Sequence, residues 1–348
     1  MKISDCPVVP AQAAELLTTD RAAGWRLMRA AGPVLRHPDR GDSVFVMRSA
    51  DVRAALHDSS LAVVSSAGHK FGADIDERRR VLEILFSPLR SRSYAEDFRP
   101  SAAAMIDRFA PQGGDAMTDL VPLLAGALFV SICALSPADL SGMDLGAAVS
   151  GAVGRRVAAD EGDILSRLLM IDEARAGELA MWVWEGILKA IGHIGFALYY
   201  LARDPGLCET LRQRPDRVAG FVEETFRLEP SVPSCLRETT EPTVIAGVDL
   251  PAGTTVRLCT AAINRDGSDA TSTDELAMDG RVHRHWGFGG GPRRCRASHL
   301  LRAVWRVIVD EWVNRVGHAD LESGYRPVSD FPYRAPLQLR SLPLGVRR

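Results

Sequence analysis

The stretch His285-Trp286-Gly287-Phe288-Gly289-Gly290-Gly291-Pro292-Arg293-Arg294-Cys295-Arg296-Ala297-Ser298-His299-Leu300 constrains this chain more than any other. Consecutive glycines and a proline predict a tight loop, because glycine reaches backbone conformations closed to other residues. Cys295 falls just before a predicted amphipathic helix over 298–315. A thiol there faces the free N–H groups and the positive end of the helix dipole. Arg293, Arg294 and Arg296 add positive charge, and both effects favour the thiolate. A thiolate held this way suits a soft metal or haem iron. Glycine turns before helices also bind phosphate, and Gly287-x-Gly289-x-x-Pro292 loosely mimics a nucleotide loop. No predicted strand precedes it in a βαβ unit, which a nucleotide loop requires.

Composition narrows the classes. The chain has 348 residues, is 46% hydrophobic and 25% charged, and carries a formal net charge of −2. That balance argues against disorder. With no basic excess, nothing in the global charge points to nucleic acid. The length allows one large domain whose core can hold a cofactor. The N-terminal residues run into Pro7 and Pro10, so no signal-peptide pattern is expected. The most apolar run, Leu120 to Leu135, contains Pro122 and is shorter than the roughly 20 residues a membrane helix needs. The expectation is a cytoplasmic protein with neither membrane nor nucleic-acid partners. The cysteines at 6, 133, 208, 235, 259 and 295 include no CxxC pair, so a disulfide framework is not expected.

Helical periodicity dominates. Helices are expected over 51–57, 76–85, 99–110, 119–135, 163–169, 206–213, 216–228 and 298–315, with one long helix over 172–202 stopped by Asp204-Pro205. Short strands are expected at 44–47, 243–245, 248–250 and 255–258, with a weakly alternating tail at 337–342. The reading is a single, mainly α domain over 1–348 with small peripheral β-sheets.

Phe288-Gly289-x-Gly291-x-Arg293-x-Cys295 resembles the haem-binding loop of the cytochrome P450 haem-thiolate enzymes. Glu224-Thr225-Phe226-Arg227 resembles their Glu-x-x-Arg helix motif, and Arg227 precedes Cys295 by 68 positions. Asn264-Arg265-Asp266 stands between them where the family has a similar tripeptide. The resemblance runs over about residues 32–342. It implies the cytochrome P450 fold and haem b, with Cys295 as the iron ligand. It makes Arg293, His285, Arg237 and Arg79 propionate partners, and Phe288 and Gly289 part of the sulfur-side cradle. Glu224 and Arg227 would brace the segment before the loop. The cluster Arg293, Arg294, Arg296 and Arg302 reads either as a dock for an acidic, ferredoxin-type electron donor or as propionate pairing plus solvated charge.

The departures concern the other side of the haem. The resemblance puts Ile75 where the family has a histidine, Ala297 where it has a glycine, and Glu275 where it has a third bracing arginine. Glu185-Gly186-Ile187-Leu188-Lys189 falls at the oxygen-binding kink, where the family's acid–alcohol pair relays protons. Leu188 cannot relay a proton; Lys189 can if burial lowers its pKa. Glu185 takes the place nearest the haem face. It reads as an i,i+4 partner of Lys189 or, by resemblance to fatty-acid hydroxylases of the family, as an active-site acid with an ester link to haem. His193 reads as a packing histidine. The segments 59–76 and 139–186, which roof the pocket in the family, are short here, so an open roof completed by a partner or a carrier-held substrate is expected. The leading expectation is a monooxygenase or oxidase of a secondary-metabolite intermediate. The alternatives are a haem-thiolate enzyme without oxygen activation (peroxide-using, dehydratase, isomerase or cyclase) and a non-catalytic scaffold.

Overall fold

The five-stranded sheet that carries the candidate site has the order β1 (Val34–Arg36), β2 (Ser43–Val46), β8 (Thr255–Leu258), β5 (Cys235–Thr239), β3 (Leu61–Val63), with β2 and β8 parallel and the other pairs antiparallel. The computed structural model describes residues 1–64, 74–136, 144–156, 162–267, 274–330 and 336–347, with the side chains of 74, 75 and 347 outside that description. Residues 65–73 of the 59–76 loop, the Ile75 side chain, and parts of the 139–186 segment therefore lie outside that description. Described strands are β1 (Val34–Arg36), β2 (Ser43–Val46), β3 (Leu61–Val63), β4 (Gly114–Asp115), β5 (Cys235–Thr239), β6 (Thr243–Ile245), β7 (Val248–Leu250), β8 (Thr255–Leu258), β9 (His318–Leu321) and β10 (Pro343–Arg347). Described helices are α1 (Ala13–Thr19), α2 (Arg21–Ala31), α3 (Ser49–Ala55), α4 (Asp74–Leu85), α5 (Pro88–Phe109), α6 (Ala116–Asp119), α7 (Val121–Ile132), α8 (Leu145–Arg155), α9 (Ile164–Ile171), α10 (Ala176–Ile191), α11 (Ile194–Arg203), α12 (Pro205–Gln213), α13 (Val218–Leu228), α14 (Thr260–Ile263) and α15 (Ser298–Arg315). The fold is mainly α with small sheets, as the periodicity implies.

Contacts divide the chain into two units, each assembled from three separated segments. The first comprises Met1–Ala73, Ala219–Cys295 and Gly324–Arg340. Its sheet is apolar because β1, β2 and β8 bury Val34, Val44, Val46, Val256 and Leu258 against Val52 and Leu56 at the end of α3. The β6–β7 hairpin turns at Ala246 and Gly247, both with positive φ (51° and 79°), as a two-residue hairpin turn demands.

The second unit comprises Asp74–Val218, Arg296–Ser323 and Ser341–Arg348. Its centre is α15 against α5: Trp305, Ile308, Val309 and Trp312 are buried, and the Trp312 ring lies 6.2 Å from Phe109. Side-chain caps fix the helix starts. Asp163 accepts from Leu165 and Ser166 N–H at α9, and Asp204 accepts from Leu207 N–H at α12, where Pro205 needs no donor partner.

Two expectations are corrected. The 172–202 segment is not one helix: α10 ends at Ile191 and α11 begins at Ile194. Between them the bonds tighten to three-residue spacing, His193 N–H to Ala190 O at 3.0 Å and Phe196 N–H to His193 O at 3.0 Å. Gly192 weakens the helix there, and Trp305 Nε1 donates to His193 Nδ1 at 2.7 Å, anchoring the break. The C-terminal strand is β10 at 343–347, not 337–342. Leu337 and Leu339 are buried, and residue 339 makes only an isolated bridge to Ser329.

Candidate active site

In the first unit, the Glu-x-x-Arg turn of α13 is a buried ion pair. Arg227 Nε and Nη2 donate to the two Glu224 oxygens, both at 2.8 Å, and Glu224 is wholly buried. The pair is saturated by backbone: Ala277 N–H donates to Glu224 at 2.8 Å, and Arg227 donates to the carbonyls of Asn264 and Glu275 at 3.0 and 2.9 Å. Main chain of residues 275–277 thus lies against both members of the pair. Asn264 ties this turn to the loop, donating from Nδ2 to Arg227 O at 3.0 Å and accepting the Trp286 N–H at 2.7 Å.

The loop closes on itself. Gly289 N–H bonds Trp286 O at 2.9 Å, and Cys295 N–H bonds Phe288 O at 2.8 Å. Gly291 has φ +62°, and a Cβ there would lie 2.4 Å from Leu56 O. At Gly287 a Cβ would meet Phe226 O at 2.5 Å. These approaches require glycine, so its recurrence in the sequence has a steric cause. Phe288 is buried with its ring 4.6 Å from Phe226, and Cys295 is half-buried. The loop rests on β5: a Cβ at Gly289 would be 3.5 Å from Cys235 Sγ.

Arg237 lies two residues further along β5 and is 6% exposed. Its Nη1 donates to Leu236 O at 2.9 Å, and no carboxylate among the described residues pairs with it. Burial, with the nearby charge of Arg293, holds its pKa below the ordinary arginine value. A buried cation without an acid partner is costly and fits an anionic group brought by a ligand. A haem with two carboxylates fits this unit: a cysteine in a glycine-held loop, a buried aromatic beside that loop, and an unneutralised buried arginine.

His285, expected as a propionate partner, is engaged elsewhere. Gly287 N–H donates to Nδ1 at 3.1 Å, which leaves that nitrogen unprotonated. The proton therefore sits on Nε2, which donates to Glu223 at 2.9 Å. Both ring nitrogens hold the loop start. Glu223 was missed in the sequence, although the Glu223-Glu224 doublet at a buried helix end was a signal. Arg293 is half-buried.

The second unit carries the other residues. Arg79 is half-buried on α4. On α10, Glu185 and Lys189 are 61% and 64% exposed and form an i,i+4 ion pair at 3.8 Å. Neither side chain is buried. Gly186 and Leu188 are also exposed, and nothing lies within 4 Å of a Cβ built at Gly186. His193 is fully buried and packs as expected.

A family model described as "Cytochrome P450" matches residues 193–268, which include the Glu-x-x-Arg helix and β5. "Probable cytochrome P450 127A1" of Sinorhizobium fredii is 29% identical over 166 residues, 48% of this chain and 40% of that protein. Alignments with this and three similar relatives span 40–47% of those proteins, less than half their length. "Erythromycin C-12 hydroxylase" of Saccharopolyspora erythraea is 26% identical over 85% of this chain and 87% of its own. The crystal structure of P450 OxyD, "involved in the Biosynthesis of Vancomycin-type Antibiotics", superposes with TM-score 0.79 and 25% identity, covering 97% of this chain and 99% of that one.

Proposed function

Because the chain belongs to the cytochrome P450 superfamily, we propose that residues 1–348 act as a haem-thiolate oxidoreductase on a secondary-metabolite intermediate, free or carrier-held. The observation that carries this reading is the buried, acid-free Arg237 in the unit that holds the Cys295 loop. Bound haem would supply the redox chemistry that oxidises a substrate carbon. Cys295 would be its iron ligand, and the glycine turns fix that thiol's backbone. Arg237 would neutralise a propionate, with Arg293 and Arg79 as further cations. Phe288 and Gly289 would wall the sulfur, limiting water and tuning its basicity. A ferredoxin-type donor would supply electrons, and the setting would be cytoplasmic. Among the described residues no helix is long and apolar enough to cross a membrane.

A second reading has its own observation. Leu188 and Lys189 replace the acid–alcohol pair, and Lys189 is exposed and paired to Glu185. This favours chemistry without dioxygen activation, with Glu185 as an acid. An experiment separates the two. Haem-loaded protein is given candidate substrates with reduced ferredoxin and dioxygen, with peroxide, or with neither. Oxidised product only with donor and dioxygen supports monooxygenation. Turnover without any oxidant supports the second reading. Haem that stays with the denatured protein through acidic solvent extraction would support an ester through Glu185; complete release would remove it.

A further inference from the structure

We propose that Asn264 is a positioning residue for the cysteine ligand, its side-chain amide joining the end of α13 to the loop that carries Cys295. The proposal rests on the haem-thiolate reading above. Besides its own N–H, which donates to Thr260 O at 3.0 Å, Asn264 makes three hydrogen bonds to the helix end and the loop. Its carbonyl accepts from Arg227 Nη1 at 3.0 Å, its Nδ2 donates to Arg227 O at 3.0 Å, and its Oδ1 accepts from Trp286 N–H at 2.7 Å. Asn264 is 7% exposed, so water does not replace these partners cheaply.

From Trp286 the register passes to the ligand in two short steps. Trp286 O accepts from Gly289 N–H at 2.9 Å, and the carbonyl of Phe288, just before Gly289, accepts Cys295 N–H at 2.8 Å. A loop of glycines has little side-chain packing to define its path, so its shape depends on such backbone bonds. Trp286 N–H is one point where the loop meets a fixed element, and Asn264 is its acceptor. The amide is suited to this because one end donates to a helix C-terminal carbonyl while the other accepts a loop N–H. Arginine has donors only and cannot accept the Trp286 N–H. Asn264 thus ties α13 to the loop at Trp286, beside the second tie from His285 Nε2 to Glu223.

Two variants separate the ends of the amide. Asn264→Asp keeps the acceptor for Trp286 N–H and loses the donor to Arg227 O. Asn264→Ala loses both. The readout is the reduced, carbon-monoxide-bound spectrum of haem-loaded protein, which distinguishes thiolate-ligated from displaced-thiol haem. Asn264→Ala is expected to lower the ratio of thiolate to displaced form about tenfold, the scale of leaving one buried N–H unpaired. Asn264→Asp is expected to stay near the wild-type ratio. An unchanged ratio in Asn264→Ala overturns the proposal, as does equal loss in both variants. If Asn264→Ala does not fold, amide hydrogen exchange of the wild-type protein decides. The Trp286 and Cys295 amides should be protected together, and Trp286 exchange at the rate of an exposed amide overturns the proposal. A wild-type protein that binds haem without a thiolate band refutes the haem-thiolate reading instead, whatever the variants do.

Discussion

Glu224→Ala tests the buried ion pair most sharply. The substitution removes the acceptor of two guanidinium bonds and of the Ala277 N–H, and leaves Arg227, whose side chain is 5% exposed, as an uncompensated buried charge. Breaking a buried pair by removing one partner costs about 3–5 kcal/mol. The orphaned Ala277 N–H adds roughly 1–3 kcal/mol. Domain stabilities run only to about 5–15 kcal/mol, so Glu224→Ala should unfold at far lower urea than wild type or fail to fold. The assay is urea unfolding followed by circular dichroism. The double substitution Glu224→Leu with Arg227→Met removes both charges and should recover much of the loss, although the carbonyls of Asn264 and Glu275 lose their donor. The exposed Glu185–Lys189 pair is the contrast: Glu185→Ala should cost at most about 1 kcal/mol. The reasoning is refuted if Glu224→Ala costs no more than Glu185→Ala, or if the double variant is no more stable than the single one.

Other outcomes follow from the same geometry. Gly291→Ala should destabilise by more than about 1–2 kcal/mol, because an alanine at φ +62° is strained and its Cβ meets Leu56 O; an unchanged urea midpoint contradicts this. Arg237→Met should act with opposite signs, raising the stability of haem-free protein by removing an unpaired buried charge while weakening haem retention in a competition assay. If both move the same way, Arg237 does not serve an anionic ligand. Burial pushes the Cys259 thiol up to about 12 from its ordinary 9.0. Its folded-state pKa is raised, so its contribution is full below pH 9 and is lost as pH rises towards 12. Stability should fall over that window, and Cys259→Ala should flatten the alkaline limb; an identical slope in the variant contradicts the assignment.

Much of the fold was legible where periodicity was long or turn chemistry was local. The helix at 298–315 and the strands at 243–245, 248–250 and 255–258 are found at those residues. The turn at Ala246-Gly247 is set by two positive φ angles that neighbouring residues already announce. The break at Gly192–His193 was not legible, because the Trp305 indole that anchors it comes from a helix more than a hundred residues away. Strands β1, β3 and β5 were missed because three to five residues carry too little pattern, and β5 is defined by its pairing with β8. At the site, the cysteine loop and the Glu-x-x-Arg pair were readable because glycine sterics and i,i+3 spacing are local. His285 and Glu185 show the limit. A residue type suited to a haem does not reveal that both imidazole nitrogens are bonded within the loop region, or that a carboxylate on an apolar helix faces solvent.

The central claim is that Cys295 ligates haem iron as a thiolate. The most direct measurement is the visible spectrum of purified, haem-loaded protein, reduced and with carbon monoxide, for wild type beside Cys295→Ser. The account predicts a red-shifted, thiolate-type Soret band in wild type that disappears in Cys295→Ser. Haem-replete wild type without that band, or a Cys295→Ser variant that keeps it, would contradict the account.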